Sequence, residues 1–190
     1  MTITYRSPAC ADIFTDLADS YLFLDTTSLI SAFKYPDFAH FLIRLNQENC
    51  RLFTLPSAAY EFTRMAKNNK ILSKYEALID KLSITIYTNL EAEINTPAIK
   101  HYLMLYNDCV NKNRSQRHAP SFTDSLFCIV LYLYRHSSTK VRLMTANYTD
   151  VPIQFFDKTE IITIDAGAGA QVENIYSFNN KNYTRLCHQS

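Results

Sequence analysis

Tyr21-Leu22-Phe23-Leu24-Asp25-Thr26-Thr27-Ser28-Leu29-Ile30 is the stretch on which the fold turns. Apolar and aromatic residues run without alternation into a carboxylate, and hydroxyl residues and a second apolar pair follow. A strand covered on both faces needs apolar side chains on both, so this run predicts a central, buried, parallel strand. The first polar residue marks where the chain leaves the core, and that residue is Asp25. In open α/β sheets, ligands bind in the crevice beyond the carboxyl ends of the strands. Asp25 at that exit is placed for chemistry, and equally for capping the short helix that follows.

Working outward, Pro36-Asp37 opens a helix whose Phe38, Phe41, Leu42 and Leu45 fall at helical spacing. Arg51 to Leu55 is the next strand, stopped by Pro56, and Ser57 is placed to cap a helix over Ala58 to Lys67 that carries Glu61 near the strand end. Ile71 to Leu82 continues as helix, and Ser83 to Tyr87 alternates as a strand. Thr96-Pro97 starts a helix reaching about Val110, in the favoured order of cap then proline. Residues 111–120 form a basic loop, after which Ser121 or Thr123 caps an apolar helix to about Arg135 with Asp124 in its first turn. Val141 to Met144 is a strand with the polar exit Thr145 to Asp150, and Glu160 to Ile164 is the last core strand. All these strands except the less certain Ser83 to Tyr87 are expected to be neighbouring and largely parallel. Strands alternating with helices predict an α/β fold, a central mostly parallel sheet between two helical layers.

The ends are expected to be accessory. Residues 1–20, with Ala9, Ile13 and Leu17 on one face, read as an N-terminal extension packed outside a core domain over 21–165. Residues 166–190 read as a tail, with a flexible joint at Ala166 to Ala170 and a peripheral strand suggested by Val172, Asn174, Tyr176 and Phe178 at every second position.

Composition narrows the function. The chain has 190 residues, 47% of them hydrophobic, with 13 Tyr, 12 Phe and only 2 Gly, which predicts a packed globule rather than a disordered chain. A net charge of +1 gives no global attraction to nucleic acid or anionic lipid, so such a partner must be held by a local patch. The five Cys are scattered without a C-x-x-C pair, which argues against a disulfide framework and a zinc site and for a reducing, cytoplasmic setting. Asp12, Asp16 and Asp19 interrupt any signal-peptide pattern, and no apolar run is long enough to span a bilayer.

Asp25, Glu61, Asp124, Asn147 and Asp150 all fall where strands end or helices begin, which in an alternating α/β chain is one edge of the sheet. Converging carboxylates repel, by on the order of 4 kcal/mol for a pair about 4 Å apart at an effective dielectric of about 20. Oxygen ligands without nearby His or Cys select a hard ion, Mg²⁺ or Mn²⁺, which lowers the pKa of a bound water and stabilises displacement at phosphorus. Each residue also has a plainer role open to it: Glu61 a solvated helix acid, Asp124 a dipole-favoured cap, Asn147 and Asp150 turn residues.

These motifs resemble the PIN domain nucleases, and among them the VapC-type toxins of toxin–antitoxin pairs. The opening pattern stands as Phe23-Leu24-Asp25-Thr26-Thr27-Ser28-Leu29-Ile30, and the second acid as Leu55-Pro56-Ser57-Ala58-Ala59-Tyr60-Glu61-Phe62. The third stands as Phe122-Thr123-Asp124-Ser125-Leu126-Phe127-Cys128, and the closing pattern as Leu143-Met144-Thr145-Ala146-Asn147-Tyr148-Thr149-Asp150. Thr27 stands where Asn or Ser is usual; Asn147 replaces an Asp of many members, with Asp150 a possible substitute. The resemblance implies a PIN-like three-layer α/β/α fold and a metal-dependent endoribonuclease. Asp25, Glu61 and Asp124 would hold Mg²⁺ or Mn²⁺ directly or through water, and Asn147 or Asp150 would orient the attacking water. Thr27, Ser28 and Thr145 would orient the ligands. Lys112, Arg114, Arg117 and His118 of the basic loop, with Arg64, would grip RNA phosphates. An antitoxin protein and a homodimer are the further partners implied, with no membrane. A non-catalytic PIN-like scaffold and a nuclease of RNA maturation are the rival functions.

Overall fold

The computed structural model describes residues 2–6, 12–90, 93–94, 96–113, 121–165, 167 and 169–188, with the backbone alone at 112 and 113. Its strands are β1 (Thr2–Arg6), β2 (Tyr21–Leu24), β3 (Arg51–Thr54), β4 (Thr85–Ile86), β5 (Val141–Thr145), β6 (Phe156–Asp165) and β7 (Ala170–Phe178). The helices are α1 (Ile13–Leu17), α2 (Thr26–Lys34), α3 (Pro36–Gln47), α4 (Pro56–Arg64), α5 (Asn69–Lys81), α6 (Pro97–Asn113), α7 (Phe122–Leu133) and α8 (Asn180–Cys187). They assemble an α/β fold on one mixed sheet of seven strands in the order β1-β6-β7-β5-β2-β3-β4.

The sheet is parallel where the unbroken apolar strands lie. β2 pairs in parallel with β3 on one side and β5 on the other, and β4 extends the parallel part beyond β3. Leu22, Phe23 and Leu24 are fully buried, as a strand inside a sheet requires. Their side chains alternate: Phe23 joins a cluster with Tyr102, Tyr106 and Phe127 from α6 and α7, whereas Leu22 and Leu24 join one with Ile13, Phe38, Leu42 and Leu45 from α1 and α3.

The other part of the sheet departs from expectation. Glu160 to Ile164 lies in β6, which runs in the same direction as the core strands but does not neighbour them, because β7 lies antiparallel between β6 and β5, with β1 antiparallel on the other side of β6. The physical reason is chain length. Only residues 166–169 join β6 to β7, and a parallel return needs a crossover of a dozen residues or more. The expected joint is thus a hairpin connection, with Gly167 at φ +79° where only glycine is unstrained. Nor is β7 peripheral. It sits between β5 and β6, and Glu173, Asn174, Ile175 and Tyr176 are buried in succession.

The N-terminal segment is likewise part of the body of the protein: β1 forms the edge of the sheet, and Ile13, Phe14 and Leu17 of α1 are core residues. Smaller corrections concern caps and ends. α4 begins at Pro56 with Leu55 as its cap, because proline favours the first helical position, so Ser57 lies inside the helix. Helix α6 runs on to Asn113, which puts the backbone of Lys112 in a helix rather than a loop. No helix of the described residues is long and apolar enough to cross a membrane.

Candidate active site at the switch between β2 and β5

β2 is the strand at which the order reverses. From it the chain proceeds through α2 and α3 to β3 on one side, and returns through α6 and α7 to β5 on the other. Helices leaving such a strand pair diverge and open a crevice beyond its carboxyl ends. Leu24 pairs with Met144, so the next residues out, Asp25 and Thr145, meet at the mouth of that crevice. The Asp25 N–H donates to the Met144 carbonyl at 3.2 Å.

Asp25 is both site residue and cap. Its extended backbone (φ −78°, ψ 177°) ends β2, and its Oδ1 accepts the Ser28 N–H at 2.8 Å as the N-cap of α2. Thr27 Oγ1 lies 2.8 and 2.9 Å from the two carboxylate oxygens, and Thr145 Oγ1 makes a short bond to Oδ2. The Thr27 oxygen also accepts the Ala146 N–H at 3.0 Å, tying α2 to the exit of β5. Asp25 is only 3% exposed, and burial pushes its carboxyl up to about 6 despite the Thr145, Ser28 and Thr27 hydrogen bonds that favour the charged form.

Asp124 arrives from the start of α7. Ser121 caps that helix by accepting the Asp124 N–H at 3.1 Å, and its hydroxyl donates back to Asp124 Oδ2 at 2.6 Å. The Ser-x-x-acid spacing produces this reciprocal pair, and it sets the Asp124 charge at the positive end of the helix dipole. Asn147 and Asp150 come from the exit of β5, where a single 3-10 turn covers Tyr148–Asp150. Asn147 Nδ2 donates to Asp150 Oδ2 in a short bond, and Asn147 Oδ1 accepts from Thr149 at 2.8 Å. Asp25, Asp124, Thr145, Asn147 and Asp150 together line a cavity of about 10 Å³ with an apolar floor of Phe127, Leu143 and Val151. That is the room one water-sized particle needs.

Glu61 stands beside this cavity, not among the residues lining it. Its two oxygens accept from Thr26 Oγ1 and Thr123 Oγ1, each at 2.7 Å, so it joins the first turns of α2 and α7 through the residues adjacent to Asp25 and Asp124. Among the described residues no group of three or more His, Cys, Asp or Glu is arranged to hold a metal ion. The lining donors are nonetheless all oxygens apart from the Asn147 amide nitrogen, the chemistry a hard cation selects. Mg²⁺ needs only one or two protein carboxylates and keeps several waters, so Asp25 and Asp124 on one cavity meet its requirement in donor type.

The basic residues expected to grip RNA phosphates are less fully placed. Arg64 is exposed at the end of α4, one turn beyond Glu61. Arg114, Arg117, His118 and the side chain of Lys112 lie outside the described residues. Tyr60 and Tyr148, neighbours of Glu61 and Asn147, are 68% and 62% exposed.

Sequence reasoning missed the ties beneath the acids. Thr26 and Thr123 are adjacent to Asp25 and Asp124 and carry their own signal in a hydroxyl. Glu173 and Ser31 do not: a lone acid in Val172-Glu173-Asn174-Ile175-Tyr176 signals a surface position until the strand order shows β7 to be internal. Compared with family models, with curated proteins and with solved structures, the chain finds no match.

Proposed function

We propose that this chain is a PIN-like, three-layer α/β/α endoribonuclease that uses Mg²⁺ or Mn²⁺ to hydrolyse RNA phosphodiesters. One observation carries the proposal: acids from three separate elements, Asp25, Asp124 and Asp150, line one cavity at the switch between β2 and β5. Asp25 and Asp150 are buried and Asp124 half-buried, and carboxylates grouped in this way are costly unless something cationic meets them. Asp25 and Asp124 would hold the ion, with Glu61 bracing the two helix starts that carry them. When bound, the ion supplies neutralising charge and a water of lowered pKa.

The chain's own groups do the positioning. Thr27 and Thr145 fix the orientation of the Asp25 carboxylate, and the Asn147–Asp150 pair presents an amide and a carboxylate suited to orienting a water. Arg64 and the basic residues of 112–118 would hold substrate phosphates, which the acids by themselves repel. Membership of a toxin–antitoxin pair, with an antitoxin or a second copy as partner, follows from the motif resemblance alone.

A specific observation favours a second function, a non-catalytic RNA- or protein-binding scaffold. Both oxygens of Asp25 and both of Glu61 already accept hydrogen bonds from the protein. A metal at Asp25 would share these oxygens with the Thr27 and Thr145 hydroxyls or displace one of them. Labelled single-stranded RNA incubated with purified protein separates the two. The nuclease cleaves in Mn²⁺, stops in EDTA and is lost in Asp25→Asn; the scaffold binds RNA or protein and cleaves under neither condition.

A further inference from the structure

β7 brings a second carboxyl behind Asp25. Glu173 is 0% exposed, one residue beyond the Thr145–Asn174 pair and therefore at the same sheet edge as Asp25. Its Oε2 lies 2.8 Å from Ser28 Oγ and its Oε1 2.6 Å from Ser31 Oγ. Positions three apart share one face of a helix, so a single side chain from β7 grips two successive turns of α2. Ser28 Oγ is also 3.0 Å from the Met144 carbonyl of β5, while the Ser28 N–H donates to Asp25. Ser28 thus stands between the two acids, with its amide on Asp25 and its hydroxyl on Glu173.

An acid here is expensive for the fold. Burial pushes its carboxyl up to about 7, with the Asp25 charge adding to the effect. An aliphatic side chain would fill a core strand without that cost. What the acid supplies is order in a helix start that has little of its own. Thr26, Thr27 and Ser28 form the first turn of α2, and β-branched and hydroxyl residues are poor helix formers whose side chains compete for backbone hydrogen bonds. The turn is instead fastened from outside: to α4 through Glu61, to β5 through Ala146 and Met144, and to β7 through Glu173.

We infer that Glu173 is a positioning residue for Asp25, acting through Ser28 and Ser31 to fix the first turn of α2 and hence the direction of the Asp25 carboxylate. This rests on the nuclease proposal for its catalytic consequence but not for its structural one, and the test keeps them apart. Hydrogen exchange at the Ser28 and Leu29 amides and steady-state cleavage of RNA are measured for wild type, Glu173→Ala and Glu173→Gln. Glu173→Ala is expected to lose protection at both amides while Phe23 and Leu24 keep theirs, and to lower kcat by about 10- to 100-fold with KM nearly unchanged, the usual size for a residue behind a metal ligand. Glu173→Gln retains an acceptor for one serine and a donor for the other, and should restore both readouts. If Glu173→Ala does not fold, Ser31→Ala, which removes one of the two ties, must show a smaller loss of Ser28 protection. Wild-type protection in the folded Ala variant, or in Ser31→Ala where that variant stands in for it, overturns the inference. Normal kcat beside lost protection overturns its catalytic half. A wild type that cleaves no RNA refutes the nuclease proposal and leaves the exchange result to decide the positioning role.

Discussion

At the scale of single residues, the buried acids make stability depend on pH in an unusual direction. Asp25 is raised from 3.8 to about 6 and Glu173 from 4.5 to about 7, both chiefly by burial. The folded chain therefore holds more protons than the unfolded chain between about pH 4 and 7, and its stability falls as pH rises through that window. Without metal, the melting temperature should be lower at pH 8 than at pH 5.5. Asp25→Asn removes a penalty of about 3 kcal/mol at 1.36 kcal/mol per pKa unit, but an amide keeps fewer of the hydroxyl bonds. A net gain of about 1 kcal/mol, or a few degrees, is expected at pH 8 and none at pH 5. Calorimetry at the two pH values checks this; a variant less stable than wild type at pH 8 means that the hydrogen bonds outweigh desolvation. Mn²⁺ at about 100 times its Kd should stabilise wild type by about 2.7 kcal/mol at pH 8 and Asp25→Asn by much less. The position of Asp25 was legible because a long apolar run ending in a carboxylate has few other physical meanings. Thr27, Ser28 and Thr145 are named beside it by the same motifs, but the bond from Thr145 depends on how β5 meets the end of β2, which no local pattern gives.

At the scale of elements, Glu61 makes the starts of α2 and α7 one mechanical unit. Thr26→Val and Thr123→Val each remove a hydroxyl bond to the same carboxylate and should each cost about 1 kcal/mol in urea unfolding. Because both donors share one acceptor group, the double variant should depart from additivity by about 0.5 kcal/mol or more. Strict additivity would mean that Glu61 does not couple the helices. The buried face of α3 follows from periodicity, with Phe38, Phe41, Leu42 and Leu45 all inside, whereas the ends of α4 and α6 do not. Strand partners were harder. The alternation in β7 describes a strand with one face polar, yet Glu173 is buried, because its carboxyl is met by the Ser28 and Ser31 hydroxyls inside the protein rather than by water.

At the scale of the whole molecule, the sheet divides into a parallel half that builds the crevice and an antiparallel half that supports it from behind. The terminal segments differ sharply in consequence. β1 is an edge strand whose residues are mostly exposed, so a chain lacking residues 1–6 should fold with only a modest fall in melting temperature. A chain ending at residue 169 loses β7 from between β5 and β6 and should give no cooperative unfolding transition in circular dichroism. Both glycines fall in Ala166 to Ala170, which on sequence alone separates a domain from a tail; the strands before and after them, β6 and β7, pair antiparallel in one sheet. The central claim is that the acids at the β2–β5 switch hold a divalent ion. Anomalous diffraction from crystals grown with Mn²⁺ tests it most directly. A Mn²⁺ peak within about 2.5 Å of an oxygen of Asp25 or Asp124, or bridged to both by waters, and absent in Asp124→Asn, is the result expected. Ordered acids with no peak between them at millimolar Mn²⁺, or a peak unaffected by Asp124→Asn, would contradict it.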